Sequence, residues 1–240
     1  MNKATISVAI AATALMMSAQ SHAELSANIG VTNNYLWRGL TQSTNEPAVQ
    51  GGIDYSHESG LYIGTWASNV QYESDDVYSY EHDMYIGFSG EAGELSYDIG
   101  YLYYNYDSDA EFDFGEVYGS IGMGGFSFSA SFLANTEADE VDDQDFSALE
   151  TYYLSGDYTM ELSNGAELTF HVGYHDGDFS EAFNGVSGDY YDYSVTLAKS
   201  GFAFTISDTD LDDDGSFATT GARDNDEMKF VVSYTLDIEM

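Results

Sequence analysis

The sequence contains no cysteine, one proline and only five lysine and arginine residues in 240. Without cysteine there is no disulfide framework, no thiolate nucleophile and no cysteine-ligated zinc. The few basic residues stand against 42 acidic ones, so the formal net charge is −37. Nucleic-acid binding depends on lysine and arginine, and this balance argues against a nucleic-acid partner. Aromatic residues make up 15% of the chain, which disordered acidic chains do not reach, so we predict a folded protein.

Long apolar runs are also scarce, and the one that is present lies at the N-terminus. Lys3 precedes an apolar stretch that ends near Met17, and small residues lead up to Ala23. This stretch is shorter than the roughly 20 residues that a membrane-spanning helix needs. We therefore predict a signal peptide over residues 1–23, cleaved after Ala23, and a single exported domain over residues 24–240.

Apolar and polar residues alternate along most of the predicted mature chain. Every second residue from Met228 to Met240 is apolar, and residues 126–132 alternate phenylalanine and alanine with three serines. This period of two is typical of strands with one apolar and one polar face. We find no sustained helical spacing after residue 23. The pattern predicts an all-β protein.

Short and long connections alternate strictly between these strands. The short, turn-like connections lie at residues 57–60, 90–93, 122–125, 163–165 and 199–201. The connections between them are longer and acidic. Five hairpins and two terminal strands predict about twelve antiparallel strands with up-and-down topology. An even strand number, short turns at one end and long loops at the other are typical of transmembrane barrels of the Gram-negative outer membrane.

A soluble β-domain is the alternative, because its strands alternate as well. Aromatic residues near strand ends favour the membrane interpretation, since such barrels carry aromatic girdles at both interfaces. These residues are Tyr35, Trp37, Tyr78, Tyr80, Tyr103 to Tyr106, Tyr152, Tyr153, Tyr190 and Tyr191. The chain ends on an alternating apolar strand, although Met240 stands where most such barrels have an aromatic residue. We expect outer-membrane lipid and lipopolysaccharide as partners, with the barrel-assembly machinery during biogenesis, and leave the oligomeric state open.

Several segments carry a family resemblance. They are YLWRGLTQS at 35–43, PAVQGGIDY at 47–55, SGLYIGTWASNV at 59–70, EHDMYIG at 81–87 and YDIGY at 97–101. Together they resemble the TorF family of porin-like proteins from proteobacteria. The resemblance covers about the first half of the predicted mature chain, and beyond Glu116 only the alternation agrees. It implies an outer-membrane β-barrel with a porin role and assigns no substrate.

Arg38 is the one basic residue between the predicted signal peptide and Lys199. We interpret it either as a constriction residue facing carboxylates across a pore or as an ion-pair partner that anchors the first outer loop. The carboxylates predicted to face inward are Asp54, Glu81, Asp83, Asp98, Glu116, Glu150, Glu167 and Asp192. The other pore-lining candidates, expected near Arg38, are Gln42, Trp66 and Asn69.

A lumen lined by carboxylates attracts cations and excludes anions. The sequence therefore predicts a porin-like channel for passive, cation-preferring diffusion of small hydrophilic solutes. The alternative is a non-conducting structural or adhesive barrel whose acidic outer loops bind divalent cations.

Cofactor and catalytic motifs are weak. The run DLDDDG at 210–215 matches the first six positions of a calcium loop, but position twelve is Gly221 and not glutamate. The candidate ligands in this run are Asp210, Asp212 and Asp214. We predict no cofactor beyond loosely bound Ca²⁺ or Mg²⁺ at the outer loops.

His171 and His175 share a predicted inward face, but no nucleophile motif accompanies them, so we predict no enzymatic activity.

Overall fold

The computed structural model describes residues 23–73 and 77–240. Apart from Ala23, the predicted signal peptide lies outside the described residues. In chain order the elements are β1 (Glu24–Thr32), β2 (Leu36–Trp37), β3 (Leu40–Thr41), β4 (Ala48–Ser56), β5 (Leu61–Asn69), β6 (Tyr80–Ala92), β7 (Leu95–Tyr106), β8 (Phe114–Met123), β9 (Phe126–Thr136), β10 (Tyr152–Glu161), β11 (Glu167–Asp176), α1 (Asp178–Asn184), β12 (Tyr190–Lys199), β13 (Phe202–Thr209) and β14 (Lys229–Glu239).

Twelve of these strands form a closed antiparallel barrel in which neighbours along the chain pair with each other. The barrel closes where β1 pairs with β14, from Ser26 opposite Glu239 to Thr32 opposite Ser233. The short strands β2 and β3 pair only with each other, so β1 is followed in the barrel by β4. Closure pairs both sides of every barrel strand and leaves none of them as an edge. The predicted twelve-stranded up-and-down barrel is confirmed.

The alternation of residues places apolar side chains on the outer surface of the barrel. In β9, Phe126 and Phe128 are exposed, whereas Ser127 and Ser129 are half-buried on the lumen side. Along β14 the apolar residues at every second position from Phe230 onward are exposed in the same way. An apolar belt around the outside of the barrel is unfavourable in water and matches the lipid-facing band of a transmembrane barrel.

The connection between β11 and β12 contains the short helix α1, where the sequence predicted no helix. Gly177 precedes the helix, and Gly185 ends it in the left-handed conformation with φ +68°. Phe179 is buried, and Phe183 packs beside it at 5.9 Å between ring centroids. The prediction was wrong here because seven residues are too few to show a sustained period. Within the described ranges no helix is long and apolar enough to cross a membrane.

Glycines on the inner wall make room for tyrosine rings from neighbouring strands. A Cβ atom at Gly64 would overlap the ring of Tyr85, and one at Gly87 would overlap the ring of Tyr62. The rings therefore lie flat against the wall instead of projecting across the lumen. The Tyr62 hydroxyl donates a hydrogen bond to the inward-facing carboxylate of Asp98 at 2.7 Å. The tyrosines that pack on the glycines therefore also bind carboxylates of the wall.

Candidate functional site

The connection between β1 and β4, residues 33–47, folds into the lumen, and we call it loop one. Tyr35 and Trp37 in this loop are both 3% exposed, so the prediction that they belong to an aromatic girdle at the membrane surface was wrong. Arg38 and Gly39 form the turn between β2 and β3, with φ +51° and +82°. A Cβ atom at position 39 would lie 2.6 Å from the Cβ of Asp192, so glycine allows this turn to approach β12.

Arg38 lies inside the lumen and pairs with Glu116 on β8. Its Nη2 is 2.6 Å from Glu116 Oε2, and both side chains are almost fully buried. The guanidinium group also stacks over the rings of Trp37 and Tyr153, at 4.2 and 4.4 Å from their centroids. Burial opposes the charge, but Glu116 outweighs it and raises the pKa of Arg38 above its ordinary value. The geometry is that of a loop anchor, and a constriction role for Arg38 stays a prediction.

A ring of hydrogen bonds connects Arg38 to β11 and β12. Arg38 Nη1 is 3.0 Å from His175 Nε2, and because a guanidinium group can only donate, this ring nitrogen must accept. His175 is therefore neutral with its proton on Nδ1, which lies 3.3 Å from the Tyr190 hydroxyl. Tyr190 in turn donates to the backbone carbonyl of Arg38 at 3.0 Å. We call Arg38, Glu116, His175 and Tyr190 the loop-one anchor.

Buried aromatic side chains of loop one and its neighbours pack together at the end of the barrel that carries the long connections. The buried members of this aromatic cluster are Tyr35, Trp37, Tyr72, Tyr104, Tyr106, Phe114, Phe146 and Phe179. Trp37 packs edge-on against Tyr104, with 5.9 Å between centroids, and against Phe183 of α1, with 5.8 Å. Edge-to-face packing at these distances is favourable for aromatic pairs. Loop one is thus held by packing as well as by the loop-one anchor.

Most carboxylates predicted to face inward do so. The inward-facing, buried ones are Asp54, Glu81, Asp83, Asp98, Glu116 and Asp192. Glu167 is half-buried at the start of β11, but Glu150 is exposed in the connection before β10, so its predicted position in the lumen was wrong. Glu81 accepts hydrogen bonds from Tyr35 at 2.7 Å and from Tyr106 at 2.9 Å. Glu81, like Glu116, therefore contacts loop one directly.

The three remaining pore-lining candidates have different outcomes. Gln42 is buried in loop one and accepts a hydrogen bond from Tyr72 at 2.7 Å. Trp66 faces inward and packs on Tyr35, with 5.5 Å between ring centroids. Asn69 is exposed on the outer face, where its Oδ1 accepts the Val49 amide at 2.8 Å. The prediction for Asn69 was wrong because residues three apart in a strand lie on opposite faces.

His171 bridges two carboxylates deeper in the lumen, an arrangement that the sequence analysis missed. Its Nδ1 lies 2.8 Å from Asp157 Oδ1 and its Nε2 lies 3.0 Å from Asp192 Oδ1. Each carboxylate can accept a hydrogen bond from the ring nitrogen that faces it, and the Tyr153 hydroxyl also lies 3.0 Å from Nε2. The sequence could have placed Asp157 on the inward face, because it follows the inward-facing Ser155 by two residues in the same strand. The hydroxyl of Ser155 contacts Ser129 at 2.7 Å rather than either histidine.

The acidic run near residue 210 makes hydrogen bonds within the protein. Asp210 accepts the Tyr191 amide at 2.7 Å, and Asp214 accepts the Ser216 amide at 2.9 Å. In residues 23–73 and 77–240, no three His, Cys, Asp or Glu side chains are arranged to hold a metal ion. The structure therefore does not assemble Asp210, Asp212 and Asp214 into a ligand set.

The closed twelve-stranded barrel, its apolar outer face and its polar lumen define a transmembrane β-barrel with a porin fold. The chain belongs to the Gcw_chp family, described as "Bacterial protein of unknown function", which it matches over residues 16–236. A search of curated protein sequences finds no match.

Solved structures with a similar fold include porins. The KdgM porin is 7% identical and has a TM-score of 0.52, over 88% of this chain and 97% of that chain. A structure described as "KdgM porin in complex with disordered oligogalacturonate" is 8% identical with a TM-score of 0.48, over 89% and 96% of the two chains. Another, described as "Unveiling the Mechanism Behind the in-meso Crystallization of Membrane Proteins", is 8% identical with a TM-score of 0.53, over 91% and 84%. At these identities the similarity concerns the fold alone.

Proposed function

We propose that this protein is an outer-membrane channel for passive, cation-preferring diffusion of small hydrophilic solutes, with loop one as its constriction. The observation that carries the proposal is the charge of the lumen. Among the described residues, six buried carboxylates face inward, whereas the buried basic side chains are three: Arg38, already paired with Glu116, Arg223 and Lys229. Rings of acidic side chains attract cations into a pore and repel anions.

We assign the constriction of the lumen to loop one and the aromatic cluster. Both lie at the end with the long connections, whereas the opposite end is bordered by short turns. In this proposal, a solute that crosses the barrel passes the loop-one anchor. We therefore assign gating to displacement of loop one from Glu116 and His175, with the barrel wall staying closed.

The proposal also contains points that depend on the sequence. These are outer-membrane location, cleavage after Ala23, a single domain over residues 24–240, the TorF resemblance, and contact with lipid, lipopolysaccharide and the assembly machinery. No enzymatic step is part of it, and no bound cofactor is required. Loosely bound Ca²⁺ or Mg²⁺ at the outer loops belongs to the second candidate function below.

Single-channel recording tests the proposal. Residues 24–240, refolded and inserted into a planar bilayer, should give discrete conductance steps. Under a KCl gradient the reversal potential should shift from zero toward the equilibrium potential of K⁺. Glu81→Gln and Asp83→Asn should each move the reversal potential toward zero. Ser131→Ala, a neutral change on the inner face of β9, is the matched control and should not move it. Conduction that is anion-selective or non-selective would contradict the assigned cation preference.

The second candidate is a non-conducting structural or adhesive barrel with acidic, divalent-cation-binding outer loops. The aromatic cluster favours it, because buried rings pack around Trp37 at the long-loop end. Stable insertion without conductance, also after loop one is released by Arg38→Met, would select this candidate over the channel.

A further inference from the structure

A chamber of about 100 Å³, lined by both polar and apolar groups, lies beneath loop one, on the side of the lumen formed by β10 to β14. Tyr35 and Arg38 of loop one form its roof, and the inner faces of β1, β4 and β10 to β14 form its walls. Because about 10–15 Å³ of such volume holds one water molecule, the chamber has room for several waters or one small solute. It adjoins the aromatic cluster through Tyr35, which belongs to both.

One wall of the chamber presents side chains that are ready to hydrogen-bond. Gln50, Ser194, Ser207 and Ser233 line it, and in the part of the chain that the structure describes their side chains have no hydrogen-bond partner in the protein. Ser207 is only 4% exposed, so what it can contact lies inside the chamber. Hydroxyl and amide groups both donate and accept, which suits a partner that does the same.

The opposite wall carries charged groups that already have partners in the protein. His171 lies between Asp157 and Asp192, and Arg38 in the roof is paired with Glu116. An anion would be repelled by the two aspartates, and a cation would lose hydration and have to compete with His171 for them. The chamber therefore differs from the acidic outer lumen and favours a neutral, polar occupant.

We infer that the chamber binds a small neutral polyhydroxylated solute of about monosaccharide size, with Gln50, Ser194 and Ser207 as its hydrogen-bonding partners. The ring faces of Tyr35 and Tyr153, which also line the chamber, supply the apolar contact for the carbon skeleton. This inference rests on the proposed function and names a class of solute for it. Cation preference then describes the ions that cross the outer lumen, and the chamber describes the neutral solute that is recognised.

Binding is tested directly with D-glucose as the probe. Saturation-transfer difference NMR on the refolded chain in detergent micelles should give a saturable glucose signal. D-gluconate and D-glucosamine, which carry opposite charges at similar size, should bind more weakly. The double variant Ser194→Val with Ser207→Val should bind glucose about ten-fold more weakly, since it removes two hydrogen-bonding groups.

Two controls keep the result interpretable. Ser131→Val makes the same change on the inner face of β9, outside the chamber, and should leave glucose binding unchanged. Gln50→Leu is a second chamber variant for use if the double variant does not fold, and it should also weaken binding. No glucose signal, an equal signal in the chamber variants, or tighter binding of either charged analogue would overturn the inference. Because this assay needs no conductance, its failure is distinct from failure of the channel proposal.

Discussion

Replacing Arg38 with methionine tests whether the ion pair holds loop one in the lumen. Methionine keeps an apolar stem of similar length but removes every donor. Glu116 would keep only the Tyr104 hydroxyl at 3.3 Å, and His175 would lose its donor. Removing one partner of a buried ion pair typically costs about 3–5 kcal/mol. The equilibrium between docked and released loop one should therefore shift toward release by about two to four orders of magnitude.

Hydrogen exchange across residues 33–47, with single-channel recording in parallel, measures this shift. In Arg38→Met, loop one should exchange much faster while the barrel strands keep their protection, and the conductance should rise or fluctuate more. The double variant Arg38→Met with Glu116→Leu should recover part of the protection. It recovers because replacing both members of a buried pair by apolar residues is often neutral.

Two results would refute the reasoning. If loop one in Arg38→Met exchanges at the wild-type rate, the aromatic cluster holds the loop and the ion pair contributes little. If the double variant is as unprotected as the single variant, an uncompensated Glu116 charge is not the cause of release.

The remaining predictions concern the wall and the outer loops. Phe128→Arg should impair folding into bilayers by roughly 1–4 kcal/mol depending on depth, whereas Ser129→Arg should be tolerated; equal effects in a refolding titration would reverse the assigned faces. Gly173→Ala should lower the free energy of unfolding in urea by about 1–3 kcal/mol, because the new Cβ would overlap the Tyr153 hydroxyl. Gly119→Ala is the control and should be near neutral, because the nearest atom to its Cβ is 3.5 Å away. Chelation with EDTA should leave the melting temperature unchanged, since the carboxylates of Asp210 and Asp214 accept hydrogen bonds from the protein. A clear decrease would support the metal interpretation.

The barrel was predictable because its signals are local. A period of two identifies each strand, and short turns between long connections give the strand number and topology. The same period also predicts which face of the sheet each residue lies on. It places Asn69 and Trp66, three residues apart, on opposite faces, so the error at Asn69 could have been avoided. Neighbouring tyrosines such as Tyr152 and Tyr153 point to opposite sides of the wall, so a girdle cannot contain both.

The site was predictable only in part because it depends on contacts between distant segments. Arg38 and Glu116 were both candidates, but nothing local to residues 33–47 shows that the loop folds inward. The role of His175 follows only once Arg38 is placed beside it. The helix α1 did leave a trace, since Phe179 and Phe183 are four residues apart and Gly185 follows at the helix end. A single pair at that spacing is weak evidence.

Loop one also has a consequence for the order of assembly. Arg38 is an early residue, yet its partners Glu116 and His175 lie 78 and 137 residues further along the chain. Contacts of such long range form late, because the intervening chain must first be ordered. The wall itself closes only when β14, the last strand, pairs with β1. Loop one therefore lies early in the chain and is among the last segments to dock.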